Sequence, residues 1–308
     1  VVACLLEHPD IKVSLRNNKL HTPLMTAAFY GRVEIFRLLL NVNNIEINHV
    51  DKWGRIALSW AAAGGYDVIV GLLLSHGDNT EINHVDKWGR TALSWAAARG
   101  YDVIVGLLLS HGDNTEINHV DEEGRTALSW AAARGYDVIV GLLLSHGDNT
   151  EINHIDEEGR TALSWAAAGG YDAIVGLLLS YGDNTEIDHA DEEGRTALSW
   201  AAARGLDVIV GLLLSYDDVD PNSKDCRERT PLIWAASLGH KNVVICLLGT
   251  TGIQPDERDA LGRTALSYAA LRGWGDIMAI LRNRHDVTPN PVDAHGRDLR
   301  MLAASRGY

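Results

Sequence analysis

The stretch DKWGRTALSWAAARGYDVIVGLLLSHGDNTEINHV, residues 86–120, is copied along much of the chain. The next 35 residues, 121–155, match it at 32 positions, and the preceding block, 51–85, matches it at 33. The element that begins with TALS recurs at spacings of 34, 35, 35, 35, 35, 34, 34 and 34 residues, and its first residues are Thr22, Ile56, Thr91, Thr126, Thr161, Thr196, Thr230, Thr264 and Asp298. A period of about 20–50 residues is typical of a solenoid, so the 308 residues are predicted to form one array rather than two domains.

Each repeat carries the pattern of two short helices. In residues 86–120, Thr91 is placed to cap a first helix that stops at Gly100. Asp102 is predicted to cap a second helix, which ends at Gly112, and a polar loop then closes at a turn on Gly124. Helices below about 12–15 residues are marginal alone in water, so neighbouring repeats must stack and share a core.

The pattern D-x-x-G-x-T-A-L-S-x-A-A-x-x-G-x-x-x-I-V-x-L-L-L-x-x-G resembles the ankyrin repeat over essentially the whole chain. The resemblance implies an all-α solenoid of helix-turn-helix units with β-hairpin-like loops, in a single array over residues 1–308. Full repeats are predicted at 17–50, 51–85, 86–120, 121–155, 156–190, 191–224, 225–258 and 259–292. Partial repeats are predicted at 1–16 and 293–308. The variant TALSWAA resembles fungal ankyrin arrays attached to NACHT-type signalling NTPases.

The family's Thr-Pro-Leu-His opening is altered in this chain. Serine replaces the histidine in six repeats, so the usual hydrogen bonds of that histidine between repeats are not expected. Asparagines at the family's hydroxylation position are Asn48, Asn83, Asn118 and Asn153. The alternative is that they are turn residues bonding their own backbone.

The acidic charge of the chain is concentrated in its middle. Residues 121–224 carry a net charge of −14, whereas residues 1–120 sum to −2 and residues 225–308 to +2. This disfavours nucleic acid and favours a protein partner with a basic surface, unless the acidity only keeps the chain soluble. Three cysteines provide no disulfide framework, and no apolar run reaches the roughly 18 residues of a membrane span. A cytoplasmic location is therefore expected.

Candidate chemical groups are repeated rather than assembled into one site. A ladder of aromatic residues is predicted to be buried core rather than a ligand platform, and it comprises Trp60, Trp95, Trp130, Trp165, Trp200, Trp234 and Tyr268. Histidines at the repeat period cannot converge on one ion, so structural roles are expected, although a pair such as His76 and His84 stays open as a partial metal site. Because phosphate-loop, nucleophile-elbow and zinc-protease motifs are absent from the sequence, we expect no enzyme, cofactor, metal or small-molecule substrate.

The near-identical repeats differ mainly at the dipeptide after the first aspartate and at the end of the first helix. The resemblance implies that both positions lie on the usual recognition surface, and interface hot spots are rich in Trp and Arg. The alternative is drift on a permissive surface. The predicted partner-binding residues are Lys52, Trp53, Arg55, Lys87, Trp88, Arg90, Arg99, Glu122, Glu123, Arg134, Glu157, Glu158, Glu192, Glu193 and Arg204.

These observations predict a non-catalytic protein–protein interaction module, the ligand-sensing or scaffolding part of a larger intracellular signalling protein. The alternative is a structural or self-associating repeat scaffold. One feature favours neither hypothesis: Gly71, Gly106, Gly141, Gly176 and Gly211 recur inside the second helix, where glycine costs about 1 kcal/mol relative to alanine. Either a neighbouring backbone approaches these glycines closely, or the face docks against another domain.

Overall fold

The computed structural model of the chain describes residues 2–8, 10–76, 80–111, 116–146, 151–181 and 185–307. Throughout these ranges the regular elements are helices, and no residue of them lies in a β-strand. The chain forms two compact units, an N-terminal unit (Val1–Glu157) and a C-terminal unit (Glu158–Tyr308). The predicted all-α fold class with helix-turn-helix units is confirmed.

In the N-terminal unit, first helices stack on first helices and second helices on second helices of the neighbouring repeat. The first helices here are α2, α4, α6 and α8, and the second helices are α3, α5, α7 and α9. The bounds are α1 Val2–Leu6, α2 Pro23–Phe29, α3 Val33–Leu40, α4 Ala57–Gly64, α5 Asp67–Leu74, α6 Ala92–Arg99, α7 Asp102–Ser110, α8 Ala127–Arg134 and α9 Asp137–His146.

The C-terminal unit repeats this arrangement. Its first helices are α10, α12, α14, α16 and α18, and its second helices are α11, α13, α15 and α17. The bounds are α10 Ala162–Gly169, α11 Asp172–Ser180, α12 Ala197–Arg204, α13 Asp207–Leu214, α14 Pro231–Leu238, α15 Lys241–Leu248, α16 Ala265–Arg272, α17 Gly275–Arg282 and α18 Leu299–Ala304.

Local chemistry sets where the first helix starts and stops. The Thr91 hydroxyl accepts a hydrogen bond from the backbone N–H of Ser94, and Gly100 ends the helix at φ +80°. Both predictions are confirmed. The prediction for Asp102 is wrong: this residue is the first residue inside α7, Tyr101 holds the cap position, and no side chain caps the helix. The Asp102 carboxylate instead lies in the first turn of α7, where its negative charge interacts favourably with the helix dipole. The predicted stop at Gly112 lies outside the described residues.

Small side chains fill the core between first helices, and larger aliphatic side chains fill it beneath the second helices. Ala96 and Ala97 of α6 are fully enclosed, so the backbones of successive first helices can approach closely. On α7, Ile104, Val105 and Leu108 fill the space below. Burying a large aliphatic side chain contributes about 1.5–3 kcal/mol, and each repeat supplies several. In the described part of the chain, no helix has the length and apolarity needed to cross a membrane.

Candidate functional site

A buried aspartate shapes the turn that precedes each first helix from α4 onward, and Asn17 takes its place before α2. In residues 86–90, one oxygen of Asp86, Oδ1, accepts the backbone N–H groups of Trp88 and Arg90, both at 3.0 Å. The backbone closes as a narrow hairpin-like turn, with Asp86 N–H bonded to Arg90 O and Gly89 N–H to Asp86 O, each at 3.0 Å. Gly89 adopts φ +71°, which favours glycine. The two residues after the aspartate are thereby held at the outermost point of the turn.

We call the dipeptides at these turns the tips, and all of their residues are exposed except the half-buried Trp53. The tips are Lys52-Trp53, Lys87-Trp88, Glu122-Glu123, Glu157-Glu158 and Glu192-Glu193. Backbone hydrogen bonds join consecutive tips in the N-terminal unit. Lys87 N–H donates to Trp53 O at 2.9 Å, Glu122 N–H to Trp88 O at 2.9 Å, and Glu157 N–H to Glu123 O at 3.2 Å. In the C-terminal unit, Glu192 N–H donates to Glu158 O at 3.1 Å. Within each unit the tips therefore form a row with fixed spacing.

Behind the tips of the N-terminal unit, guanidinium groups alternate with indole rings in what we call the Trp–Arg stack. The Arg55 guanidinium lies 4.3 Å from the Trp60 ring and 4.6 Å from the Trp95 ring. Arg90 lies 4.9 Å from both the Trp95 and Trp130 rings. Cations within about 6 Å of an indole centroid are attracted to its π face, most strongly when both groups are desolvated. The stack therefore ties each repeat to the next.

The C-terminal unit contains the same arrangement. Arg160 lies 4.4 Å from the Trp165 ring and 4.3 Å from the Trp200 ring, and Arg195 lies 4.3 Å and 4.4 Å from Trp200 and Trp234.

In the N-terminal unit, the second oxygen of Asp86, Asp121 and Asp156 pairs with the stack arginine of the preceding repeat. Asp86 Oδ2 accepts the indole N–H of Trp95 at 2.9 Å and the Nε–H of Arg55, from the preceding repeat, at 3.4 Å. A buried charge is costly unless it is paired and hydrogen-bonded, and the aspartate and arginine satisfy each other here. Sequence analysis predicted a buried aromatic ladder, which is confirmed for Trp95 and Trp130, but the other five members are partly exposed. It did not predict the arginines between the rings. The signal was the constant spacing D-x-x-x-R-x-x-x-x-W, as in Asp86, Arg90 and Trp95.

The first member of the stack is a histidine. His21 directly precedes Thr22, the cap residue of α2, just as Arg55 directly precedes Ile56, the cap residue of α4. The Nε2 of His21 lies 3.1 Å from Asp51 Oδ2. Its ring centroid is 5.6 Å from that of Trp60. Burial lowers the pKa of His21, although Asp51 opposes this shift, so the neutral imidazole is favoured.

The two tryptophans of the tips occupy different environments. Trp88 is 38% exposed, with the Arg55 guanidinium 5.0 Å from its ring. Trp53 is half-buried, with ring centroids 5.8 Å from His21 and 6.0 Å from Trp60. The Lys52 ammonium lies 4.5 Å above the Trp53 ring. Trp53 is therefore also a packing residue, whereas Trp88 projects toward solvent.

The acidic tips have an inner and an outer glutamate. The second glutamate pairs with an arginine of the stack: Glu123 with Arg90 at 2.8 Å, Glu158 with Arg160 at 3.5 Å, and Glu193 with Arg195 at 3.1 Å. Both glutamates of each acidic tip are exposed, but the arginine holds the second one in place, whereas the first ones, Glu122, Glu157 and Glu192, lie farther out on the turn. The outer carboxylates are thus the ones best placed to meet another molecule.

The other predicted site residues divide between the surface and the stack. Arg99, Arg134 and Arg204, at the ends of first helices, are exposed. The side chains of Arg55 and Arg90 are only 12% and 18% exposed, because they are packed in the Trp–Arg stack. Their geometry indicates a packing role, and their contact with a partner stays a prediction.

The glycines that replace arginine at the end of the first helix lie against a tyrosine ring. A Cβ on Gly64 would lie 2.3 Å from the ring of Tyr66, and one on Gly169 would lie 2.2 Å from the ring of Tyr171. Both distances are far inside van der Waals contact, so the tyrosine would have to move. The Gly/Arg difference between repeats is therefore coupled to the packing of this ring.

The repeated histidines and asparagines make structural contacts between repeats. His84 Nε2 lies 2.8 Å from Gly54 O, and His119 Nε2 lies 3.1 Å from Gly89 O, so the predicted structural role of these histidines is confirmed. Asn83 Oδ1 accepts the N–H of Glu116 in the next repeat at 2.9 Å, and the alternative that the asparagines bond their own backbone stays a prediction. No group of three metal-ligating side chains occurs among the residues that the structure describes.

The glycines inside the second helices face open space. Among the residues that the structure describes, no atom other than those of the adjacent residues and of the helix's own backbone lies within 4 Å of the Cβ position of Gly71, Gly106, Gly141, Gly176 or Gly211. Close approach of a neighbouring backbone within the chain is therefore excluded as their explanation. Docking of this face against another domain stays a prediction.

Comparisons with known proteins agree with this geometry. The family model described as "Ankyrin repeats (3 copies)" matches residues 41–121, 58–156, 113–189, 139–225, 184–259 and 209–293. The one described as "Ankyrin repeat" matches residues 19–49. A solved structure titled "Crystal structure of the ankyrin repeat domain of Bcl-3: a unique member of the IkappaB protein family" is similar, with a TM-score of 0.63 and 26% sequence identity. The match covers 74% of this chain and 99% of that chain. No curated protein matches the sequence.

Proposed function

Because the chain belongs to the ankyrin-repeat family, we propose that it is a non-catalytic protein-binding module whose partner contacts the rows of tips. The family matches and the similar solved structure confirm the predicted ankyrin-repeat fold class. Repeats of this family indicate a protein–protein interaction module, and stacked repeats offer the extended surface that such binding uses.

The observation that carries the proposal is that each repeat contains one set of residues that packs internally and another set that is exposed at its tip. The aspartate, arginine and tryptophan that recur in register are occupied by internal contacts, as for Asp86, Arg55 and Trp95. The exposed tip residues change from Lys-Trp to Glu-Glu on an almost unchanged scaffold. Side chains that vary in charge while projecting to solvent are suited to recognition, because packing does not determine them.

Within the predicted site, the exposed groups are the best candidates for direct contact. Trp88 and Lys87 offer an aromatic and a cationic group side by side, which is typical of interface hot spots. Glu122, Glu157 and Glu192 favour a basic surface on the partner. We place Arg55, Arg90 and Trp53 behind this contact surface, where they hold it in shape.

The wider setting that we propose follows from the sequence. The resemblance of TALSWAA to fungal arrays supports a ligand-sensing or scaffolding part of a larger signalling protein, with the array running through residues 1–308 in the predicted repeats. The low cysteine content supports a cytoplasmic location.

Affinity capture with matched variants tests the tip surface. Immobilised wild-type chain is compared with K87E/W88E and with E122Q/E157Q/E192Q, and proteins retained from a cell extract are identified by mass spectrometry. We expect at least one protein to be retained by the wild type and lost from a tip variant. The control is E81Q/E116Q, which changes exposed glutamates outside the tips. Identical retention by all variants would place the recognition surface elsewhere.

A further inference from the structure

The tips of the N-terminal unit change sign halfway along their row. Lys52 and Lys87 are the first residues of two consecutive tips, and Glu122 and Glu157 are the first residues of the next two. All four side chains are exposed. Because backbone hydrogen bonds join each of these tips to the next, the order of charges, two positive and then two negative, is fixed in space.

Such a row is complementary to its own antiparallel copy. A two-fold axis passing between the Lys87 and Glu122 tips would place Lys87 opposite Glu122 of the second molecule and Lys52 opposite its Glu157. The same axis creates each pair twice, which gives four ion pairs from two kinds of contact. Repeats are spaced by roughly 10 Å, one helix-packing distance, in both copies, so the two rows stay in register. A partner of one charge sign would be attracted by half of the row and repelled by the other half.

Two further contacts suit this arrangement. Trp88, 38% exposed, lies next to the proposed axis and would lose water-exposed apolar surface there. Glu123 is already held by Arg90 at 2.8 Å, so the outer Glu122 is the carboxylate of this tip that can turn toward a second molecule.

We propose that the N-terminal unit binds a second copy of this chain through its row of tips, antiparallel and about a two-fold axis between the Lys87 and Glu122 tips. The inference does not rest on the proposed function, because it is measured on the purified chain with no other protein present. Self-association of this kind would cover the surface that a different partner uses.

Sedimentation velocity on the full chain tests the proposal, using two charge-reversal variants, K52E/K87E and E122K/E157K. The wild type should form a dimer at micromolar concentrations. Each variant alone places like charges opposite each other, and its dimer dissociation constant should rise by at least about tenfold. An equimolar mixture of the two variants should restore the dimer, because every reversed charge then meets its opposite. Near 1 M salt, where the Debye length is about 3 Å, the wild-type dimer should weaken.

The controls separate charge pairing from damage to the fold. The variant E81K/E116K changes net charge as much as E122K/E157K does, but outside the tips, and it should dimerise like the wild type. Circular dichroism melts establish that each variant is folded, and a misfolded variant could not be rescued by mixing. A monomeric wild type, a dimer that survives both reversals, or a mixture that stays monomeric would each overturn the proposal.

Discussion

One carboxylate per repeat determines the local geometry at the scale of single residues. Asp51 illustrates its role: Oδ1 accepts the N–H groups of Trp53 and Arg55 at 2.8 and 2.9 Å, and Oδ2 accepts the Trp60 indole N–H at 2.9 Å. The same residue thus forms the turn and orients the stack. In the C-terminal unit, burial opposes ionisation of Asp293, but hydrogen bonds from Arg297 and from the N–H groups of Arg297 and His295 lower its pKa to about 2.

The two tip tryptophans should respond differently to substitution by glutamate. Trp53 packs against His21 and Trp60, so W53E should lower the free energy of unfolding by roughly 2 kcal/mol, below the 3–5 kcal/mol of a fully buried aromatic. Trp88 is more exposed, and W88E should change the free energy of unfolding by less than about 0.5 kcal/mol. Urea unfolding followed by circular dichroism measures both. Equal losses would show that Trp88 is a packing residue as well.

Protonation of His21 should weaken the N-terminal unit. Burial lowers the pKa of His21 below its ordinary value of 6.5, so the unfolded chain binds this proton more readily than the folded chain. Its contribution to stability is therefore present above pH 6.5 and is lost as the pH falls through the lowered folded pKa.

The control for this prediction is the arginine used by the other repeats. Urea unfolding midpoints of wild type and H21R are compared between pH 5 and pH 8, a range about the ordinary histidine pKa. As the pH falls, the unfolding midpoint of H21R should rise relative to that of the wild type. A difference that does not vary with pH would show that His21 does not titrate in this range.

Glycine has opposite roles in the two kinds of helix position, at the scale of secondary-structure elements. Gly106 lies inside α7 with open space around its Cβ position, whereas Gly100 ends α6 at φ +80° with the Tyr136 ring 2.8 Å from its Cβ position. The helical backbone at Gly106 does not require glycine, whereas the positive φ at Gly100 does.

The substitutions G106A and G100A should therefore change stability in opposite directions. G106A should raise the free energy of unfolding by about 0.5–1 kcal/mol, because alanine restricts the unfolded chain and fits the helix without a clash. G100A should lower it by at least about 1 kcal/mol, since the residue would be strained and would displace Tyr136. Denaturant titration measures both. A destabilising G106A would indicate that this glycine serves a contact that the isolated chain does not make.

Sequence analysis predicted the elements better than the contacts between them. The period and the Thr91 and Gly100 signals identify the bounds of the first helix, because these depend on residues close in the chain. The Trp–Arg stack was missed because it joins Arg55 to Trp95, forty residues apart, and an invariant arginine looks like any other copied residue. The tips were predicted from their variation, but the difference between Trp53 and Trp88 depends on His21, which replaces arginine only in the first full repeat.

At the scale of the whole molecule, the stability of each repeat depends on its contacts with the neighbouring repeats. In the N-terminal unit, α6 contacts both α4 and α8. Among the helices that the structure describes, the first helix that stacks on α2 is α4, and α3 lies between α5 and the five-residue α1. In repeat proteins stability is approximately the sum of repeat and neighbour contributions.

Native-state hydrogen exchange should therefore vary along the N-terminal unit. Amide protons of α1–α3 should exchange at least about tenfold faster than those of α6–α8, because fewer neighbouring contacts must break to expose them. Mass spectrometry of peptides from each helix measures the rates. Uniform protection from α2 to α8 would show that the unit opens only as a whole.

The backbone bond from each tip to the next has a consequence for how such a chain can evolve. Lys87 bonds Trp53 through main-chain atoms, and Glu122 bonds Trp88 in the same way, so the link is indifferent to side-chain identity. Recombination between near-identical copies can therefore add, remove or exchange a repeat while keeping the main-chain bond between consecutive tips. Each exchange replaces the two tip residues together and, between some repeats, the residue at the end of the first helix, as Gly64 and Arg99 show, so duplication and loss of repeats can change the charge of a whole tip in one step.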